Sequence, residues 1–371
     1  IHRDPQPVDT WSRRTATYRG PDHYESMTGW EETTLPDRTP GGQTVFYETE
    51  IKLPASKGPR YLAVSLDHLE GLLSIDGKPY AGVDSHHLRI PLPNKPSMKL
   101  SMEFMSRCDT VYEEQRIEAV GYLTTVSIVS VDHEIEAFCD ELHYAFAASE
   151  FCEGRRQMLV EQLIEQVCLA VDISLPYNQL RDEVRRARTL FAKQLAAIQP
   201  DPEAGRIFAV GHSHIDTAWL WPISETIRKC GRTFSTACRM IEQHDNYYFS
   251  CSQPQHYAFT KQYYPEVYRQ IKKWVAAGRW GTDGAMWVEP DCNVTSGESL
   301  VRQILYGLQF FRREFNTTTR MCWLPDVFGY NAALPQILKR SGIDFFYTYK
   351  LHWQSENPFP YTLFAWRGLD G

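Results

Sequence analysis

The chain has 371 residues, 43% of them hydrophobic and 23% charged, enough for two or three domains with sizeable cores and too evenly mixed for wholesale disorder. Lys and Arg number 39 against 46 Asp and Glu, a formal net charge of −7 with no long basic run, so neither nucleic acid nor an anionic membrane surface is an expected partner. No run of about 18 apolar residues occurs, and no segment reads as a membrane-spanning helix.

Residues 1–130 read as β. Strands are predicted at Val45–Ile51, Tyr61–Leu66, Gly71–Ile75, His87–Leu92 and Met98–Phe104, with Asp76-Gly77 as a hairpin turn. Short strands between Pro, Gly, Asn and Asp turns predict a β-sandwich. Trp11, Trp30 and Tyr80 offer a ligand platform, but packing is the expected role. Residues 131–203 read as a helical connector. Leu142, Phe146, Leu159, Leu163 and Val167 recur at helical spacing, Arg181–Ala197 forms a second pattern, and Pro200-Asp201-Pro202 marks a boundary.

Residues 204–371 alternate strand and helix. Strands are predicted at Arg206–Val210, Tyr247–Cys251, Arg279–Thr282, Thr319–Leu324 and Phe345–Thr348. The intervening helices carry Ile227, Phe234, Cys238 and Ile241; Val267, Ile271, Trp274 and Val275; and Leu300, Ile304, Leu308 and Phe311. Thr295 to Glu298 reads as a capping box, and Gly278 and Gly342 as helix stops. Such alternation implies a parallel sheet, as a barrel or a doubly wound sheet.

The chemistry follows this alternation. His212, His214 and Asp216 come after the first strand, and Ser252 and Gln253 after the second. Asp283, Trp287, Glu289 and Asp291 follow the third, Asp326 the fourth and Lys350 the fifth. Folds of this kind gather their active-site residues at the carboxyl ends of strands. In an extended segment His214 and Asp216 point the same way, so an imidazole and a carboxylate can converge on Zn²⁺ or another divalent ion. A capped turn with solvated histidines is the alternative. Asp326 leaves an apolar strand among bulky neighbours, where a carboxylate needs a charge partner or caps the next helix. Glu289 and Asp291 add two carboxylates of the sort a glycosidase or a metallohydrolase uses. No GxSxG elbow, Walker loop or GxGxxG after a strand occurs, which removes the serine-esterase and nucleotide readings. The 9 cysteines are odd in number and lack CxxC pairs, arguing for a reducing compartment rather than a disulfide framework.

Three motifs stand in order: Gly211-His212-Ser213-His214-Ile215-Asp216-Thr217-Ala218-Trp219-Leu220-Trp221-Pro222, Met286-Trp287-Val288-Glu289-Pro290-Asp291, and Trp323-Leu324-Pro325-Asp326-Val327-Phe328-Gly329-Tyr330. With Ser296 to Gln303 and Asn357 to Pro360, they closely resemble the glycoside hydrolase family 38 α-mannosidases, in their cytosolic and vacuolar branch. The resemblance covers about residues 206–371. It implies an irregular βα barrel and a retaining, zinc-dependent exo-α-mannosidase acting on mannose-containing oligosaccharides. His214, Asp216 and Asp326 would bind one Zn²⁺ and Asp326 would also be the nucleophile, forming a covalent mannosyl-enzyme. Trp219, Trp287 and Lys350 would meet the substrate. The resemblance places the remaining zinc ligand, a His, and the general acid/base, an Asp, beyond residue 371. Starting at Ile1 without Met and stopping at Gly371, the sequence reads as cut at both ends. A cytoplasmic location is expected, with the vacuole as alternative, and the reading leaves room for a homo-oligomer. Two rival readings are a metal-dependent deacetylase or amidohydrolase and a non-catalytic carbohydrate-binding fragment.

Overall fold

The computed structural model describes residues 2–53, 58–106, 120–198 and 205–371. Twelve strands come first: β1 (His2–Pro7), β2 (Thr10–Gly20), β3 (His23–Glu25), β4 (Glu31–Thr34), β5 (Asp37–Thr39), β6 (Thr44–Lys52), β7 (Arg60–Asp67), β8 (Leu69–Ile75), β9 (Lys78–Val83), β10 (Arg89–Leu92), β11 (Ser97–Ser106) and β12 (Gly121–Val131). They form two antiparallel sheets. One runs β1-β12-β7-β10 with β5 also on β12, and the other runs β3-β2-β6-β11-β8-β9 with β4 also on β2. Alternate residues of β6, β7, β8, β10 and β11, with others from β2, β9 and β12, enter a shared core that includes Trp11, Tyr47, Leu62, Leu73, Leu100 and Phe104. This is the predicted sandwich. Asp76 and Gly77, both at positive φ, turn β8 into β9 as expected. Trp11 is buried in the core, Tyr80 packs against it, and the partly exposed Trp30 lies under the Arg14 guanidinium.

Three helices follow where two patterns were predicted: α1 (His133–Ser149), α2 (Arg155–Leu169) and α3 (Tyr177–Ala197). They pack on one another through Phe138, Leu163, Val167, Val184 and Phe191. Asp132 caps α1 by accepting from the backbone N–H groups of Glu134 and Ile135. The predicted boundary at Pro200-Asp201-Pro202 lies outside the described residues.

The remaining elements are β13 (Gly211–His212), α4 (Ile223–Gln243), β14 (Phe249–Ser250), α5 (Pro254–Tyr263), α6 (Pro265–Ala276), β15 (Trp280–Gly281), α7 (Gly297–Phe315), β16 (Met321–Trp323), α8 (Leu334–Arg340), β17 (Phe345–Tyr347) and a 3₁₀ turn at Lys350–Trp353. β13, β14 and β15 pair in parallel, as do β16 and β17, and a parallel bridge between Gly284 and Cys322 links the two sets. Trp323 and Tyr347 stack across the second pair with centroids 3.9 Å apart.

Two expectations are corrected here and one helix is added. Arg206–Val210 is not a strand: Ile207 and Phe208 are exposed, and pairing starts at Gly211 because the neighbouring chain is still turning at His244–Tyr247. The helix beginning near Pro265 is preceded by a separate one, α5, because the proline pushes Tyr264 out of helical geometry. The cap of α7 is Ser296, one residue later than expected, accepting from the Ser299 N–H. Glu298 turns instead to Arg302.

Candidate active site

The short parallel strands act as a platform. From its end beside β13, the chain runs through Ser213–Pro222 without regular structure before α4 begins. Gln253, just past β14, braces this stretch by donating from Nε2 to the Ile215 carbonyl at 3.0 Å, and accepts from the Glu289 N–H at 3.2 Å. Three loops from three strands are thereby fixed around one point.

That point is the His214 ring. Its Nε2 lies 3.4 Å from Asp216 Oδ1 and 3.4 Å from Asp326 Oδ2, and its Nδ1 lies 3.1 Å from Glu289 Oε2. Glu289 is buried and its other oxygen accepts from the Ser252 hydroxyl at 3.1 Å. Asp326 Oδ1 meets the Lys350 ammonium at 2.5 Å, and that side chain is only 7% exposed, between the Phe328 and Trp353 rings. Burial opposes a charge on His214, but the hydrogen bonds and charges of Asp216 and Glu289 outweigh it and push its pKa up to about 10. His212, deeper and without such partners, is pushed down to about 4 by burial and then by the charge of His214. His256, wholly enclosed beneath the loop, is pushed down to about 3, again by burial first.

One ligand atom from each of His214, Asp216 and Asp326 lies within 4.8 Å of the others, and among the described residues no other such group is found. The donor set suits a divalent cation. Three carboxylates face one ammonium and one imidazole, so with the imidazole neutral two negative charges are in excess, the charge such an ion balances. Glu289 on Nδ1 also keeps Nε2 aimed at Asp216 and Asp326, the usual arrangement behind a metal-binding histidine.

The other predicted residues divide. Trp219, three residues after Asp216, is 57% exposed and set edge-on to Trp221 with centroids 5.5 Å apart. The Trp287 indole goes into the apolar core, edge-on to Phe310 at 5.6 Å and donating to Gln255. Asp283 accepts from Thr319, and Asp291 caps a turn by accepting from the N–H groups of Asn293 and Val294. Phe328 and Trp353 around Lys350 were not anticipated. Their spacing, two residues after Asp326 and three after Lys350, was the available signal.

Residues 204–371 match the glycosyl hydrolases family 38 N-terminal domain. Over 165 residues the chain is 48% identical to alpha-mannosidase 2C1 of Mus musculus, covering 44% of this chain and 16% of that protein. It is 46% identical over 166 residues to alpha-mannosidase G of Dictyostelium discoideum, covering 45% and 15%. To the alpha-mannosidase of Saccharomyces cerevisiae it is 40% identical over 166 residues, covering 44% and 15%. The chain thus spans a small part of the length of the curated relatives it matches. Residues 204–371 are thus similar to the N-terminal domain of the family 38 glycosyl hydrolases.

Proposed function

We propose that these residues serve a zinc-dependent exo-α-mannosidase that releases terminal α-linked mannose from oligosaccharides with retention of configuration, on an irregular βα barrel. The observation that carries this reading is the convergence of His214, Asp216 and Asp326 at the ends of two strands, with Lys350 on Asp326. His214, Asp216 and Asp326 would hold the zinc ion, which when bound supplies Lewis acidity toward the sugar hydroxyls.

Asp326 would attack the anomeric carbon. Its oxygen forms a bond to that carbon as the bond to the glycosidic oxygen breaks, and the leaving oxygen takes a proton from a general acid. Water then cleaves the mannosyl ester and restores the carboxylate. Lys350 holds one oxygen of Asp326, directing the other toward the cluster. Trp219 offers its exposed face to the sugar ring. The described cysteines are all free, in keeping with a cytoplasmic setting, and among the described residues no helix is long and apolar enough to cross a membrane.

The test is to trap the full-length enzyme with a slow fluorinated mannosyl donor and locate the adduct by mass spectrometry. One mannosyl residue on the peptide containing Asp326 is expected. Normal activity in Asp326→Ala would sink the reading, and turnover without any adduct would favour direct attack by water, as in an amidohydrolase.

A further inference from the structure

The face of α4 turned toward the sandwich is charged, and it is buried. Glu225, Arg228, Lys229 and Arg232, at helical spacing, face Glu70 of β8 and Glu103 of β11. Arg228 donates to Glu103 at 2.7 Å and lies 4.2 Å over the Tyr18 ring, while Tyr24 donates to the same Glu103 oxygen at 2.9 Å. Arg232 bridges Glu225 at 3.0 Å and Glu70 at 3.2 Å, and Lys229 reaches Glu70 at 3.2 Å. Three acids and three bases balance. Further along, the Gly82 N–H of β9 donates to Thr236 at 2.9 Å, an approach so close that a Cβ at Gly82 would collide with that hydroxyl. Apolar side chains would glue these layers together at less desolvation cost. What directional pairs add is a fixed rotation and height for the helix.

The first turn of α4 in turn holds the metal-binding loop. Thr226 is fully buried, and its hydroxyl reaches the carbonyls of Thr217 at 2.7 Å and Asp216 at 3.1 Å while accepting from Trp221 Nε1 at 2.9 Å. We propose that the sandwich is a positioning element for the metal-binding loop, with Glu103 and Arg228 fixing α4 and Thr226 fixing the backbone of Asp216. This rests on the metal reading given above. The chain of contacts is continuous from β11 to the ligand, so displacing α4 displaces a carboxylate whose placement sets the ion's affinity.

The experiment measures Zn²⁺ affinity by chelator competition, and the melting temperature of the zinc-free protein, for the full-length wild type and for Glu103→Gln, Arg228→Gln, their double variant, Thr226→Val and Thr226→Ser. Each single loss should weaken Zn²⁺ binding about tenfold. The double variant should be no weaker than the worse single, because both remove one pair. Thr226→Ser should restore affinity. Native affinity in Glu103→Gln and Arg228→Gln, whatever their melting temperatures, would overturn the proposal and leave the seam as adhesion only. Glu103→Gln keeps shape and volume, so the test survives if Thr226→Val does not fold. A wild type without zinc affinity overturns the metal reading and this proposal together.

Discussion

The Lys350 ammonium and the Asp326 carboxylate are 2.5 Å apart, and the lysine that makes this pair is enclosed by two aromatic rings. Lys350 therefore has two effects on the site, orienting one carboxylate and cancelling one unit of its negative charge. The variant Lys350→Met separates them. Activity on an α-mannoside should fall about a hundredfold, some 3 kcal/mol in the barrier. Zn²⁺ should bind several-fold tighter, because the cluster gains a negative charge. Chelator competition reads the second effect, and weaker zinc binding would show that orientation of Asp326 is the larger contribution.

Glu289 holds the far nitrogen of His214 at 3.1 Å. Replacing it with Gln preserves volume but exchanges a charged acceptor for a neutral one. Zn²⁺ affinity should drop about ten- to a hundredfold, as is usual for partners behind a metal-bound histidine. The same titration on Asp291→Asn is the control. Asp291 holds a turn and no site residue, so its zinc affinity should match the wild type.

Trp219 presents an open ring, so its truncation should act on binding rather than on chemistry. Trp219→Ala is expected to raise KM about tenfold with kcat nearly unchanged, the scale of one lost aromatic contact. Steady-state kinetics settle it. A fall in kcat at constant KM would instead tie the ring to the transition state.

Glu314 joins α5, α6 and α7, accepting from Lys261 at 2.8 Å, Tyr268 at 3.0 Å and Arg313 at 3.2 Å. Burial alone would raise its pKa, but these hydrogen bonds prevail and hold it down to about 2, against an ordinary 4.5. The unfolded chain takes up this proton near 4.5 and the folded chain only near 2. The charge therefore contributes stability above 4.5 and loses it as pH falls toward 2. Glu314→Gln should be less stable than wild type at pH 7 by about 1 kcal/mol. The gap should close through that window in urea unfolding at stepped pH. A gap independent of pH would show that packing, not charge, is what the glutamate supplies.

Local chemistry made much of this legible from residues alone. The Asp76-Gly77 turn, the alternating apolar residues of β8 and β11 and the apolar stripes of α4, α6 and α7 each declare their partners by period. His214, Asp216, Asp326 and Lys350 stood out because each follows a strand. What escaped depends on the third dimension. β2, with its Arg13 and Arg14, does not read as apolar alternation, yet Arg13 is paired with Glu31 of the neighbouring β4 and with Asp37 of β5 in the other sheet. Glu225, Arg228 and Arg232 resemble a solvated helix face until the sandwich covers them. Trp287 and Asp291 sit in motif positions beside Glu289, but a one-dimensional register does not tell which of three neighbours turns inward.

α4 is gripped on both sides, by Cys230, Phe234, Cys238 and Ile241 against one core and by the charged seam against the sandwich. A helix held in this way has little surface from which to fray, so its central amides should be among the slowest in the chain to exchange with deuterium. Because either layer can be lost only by stripping that helix, the sandwich and the strands under the metal loop should open together as a single exchange unit.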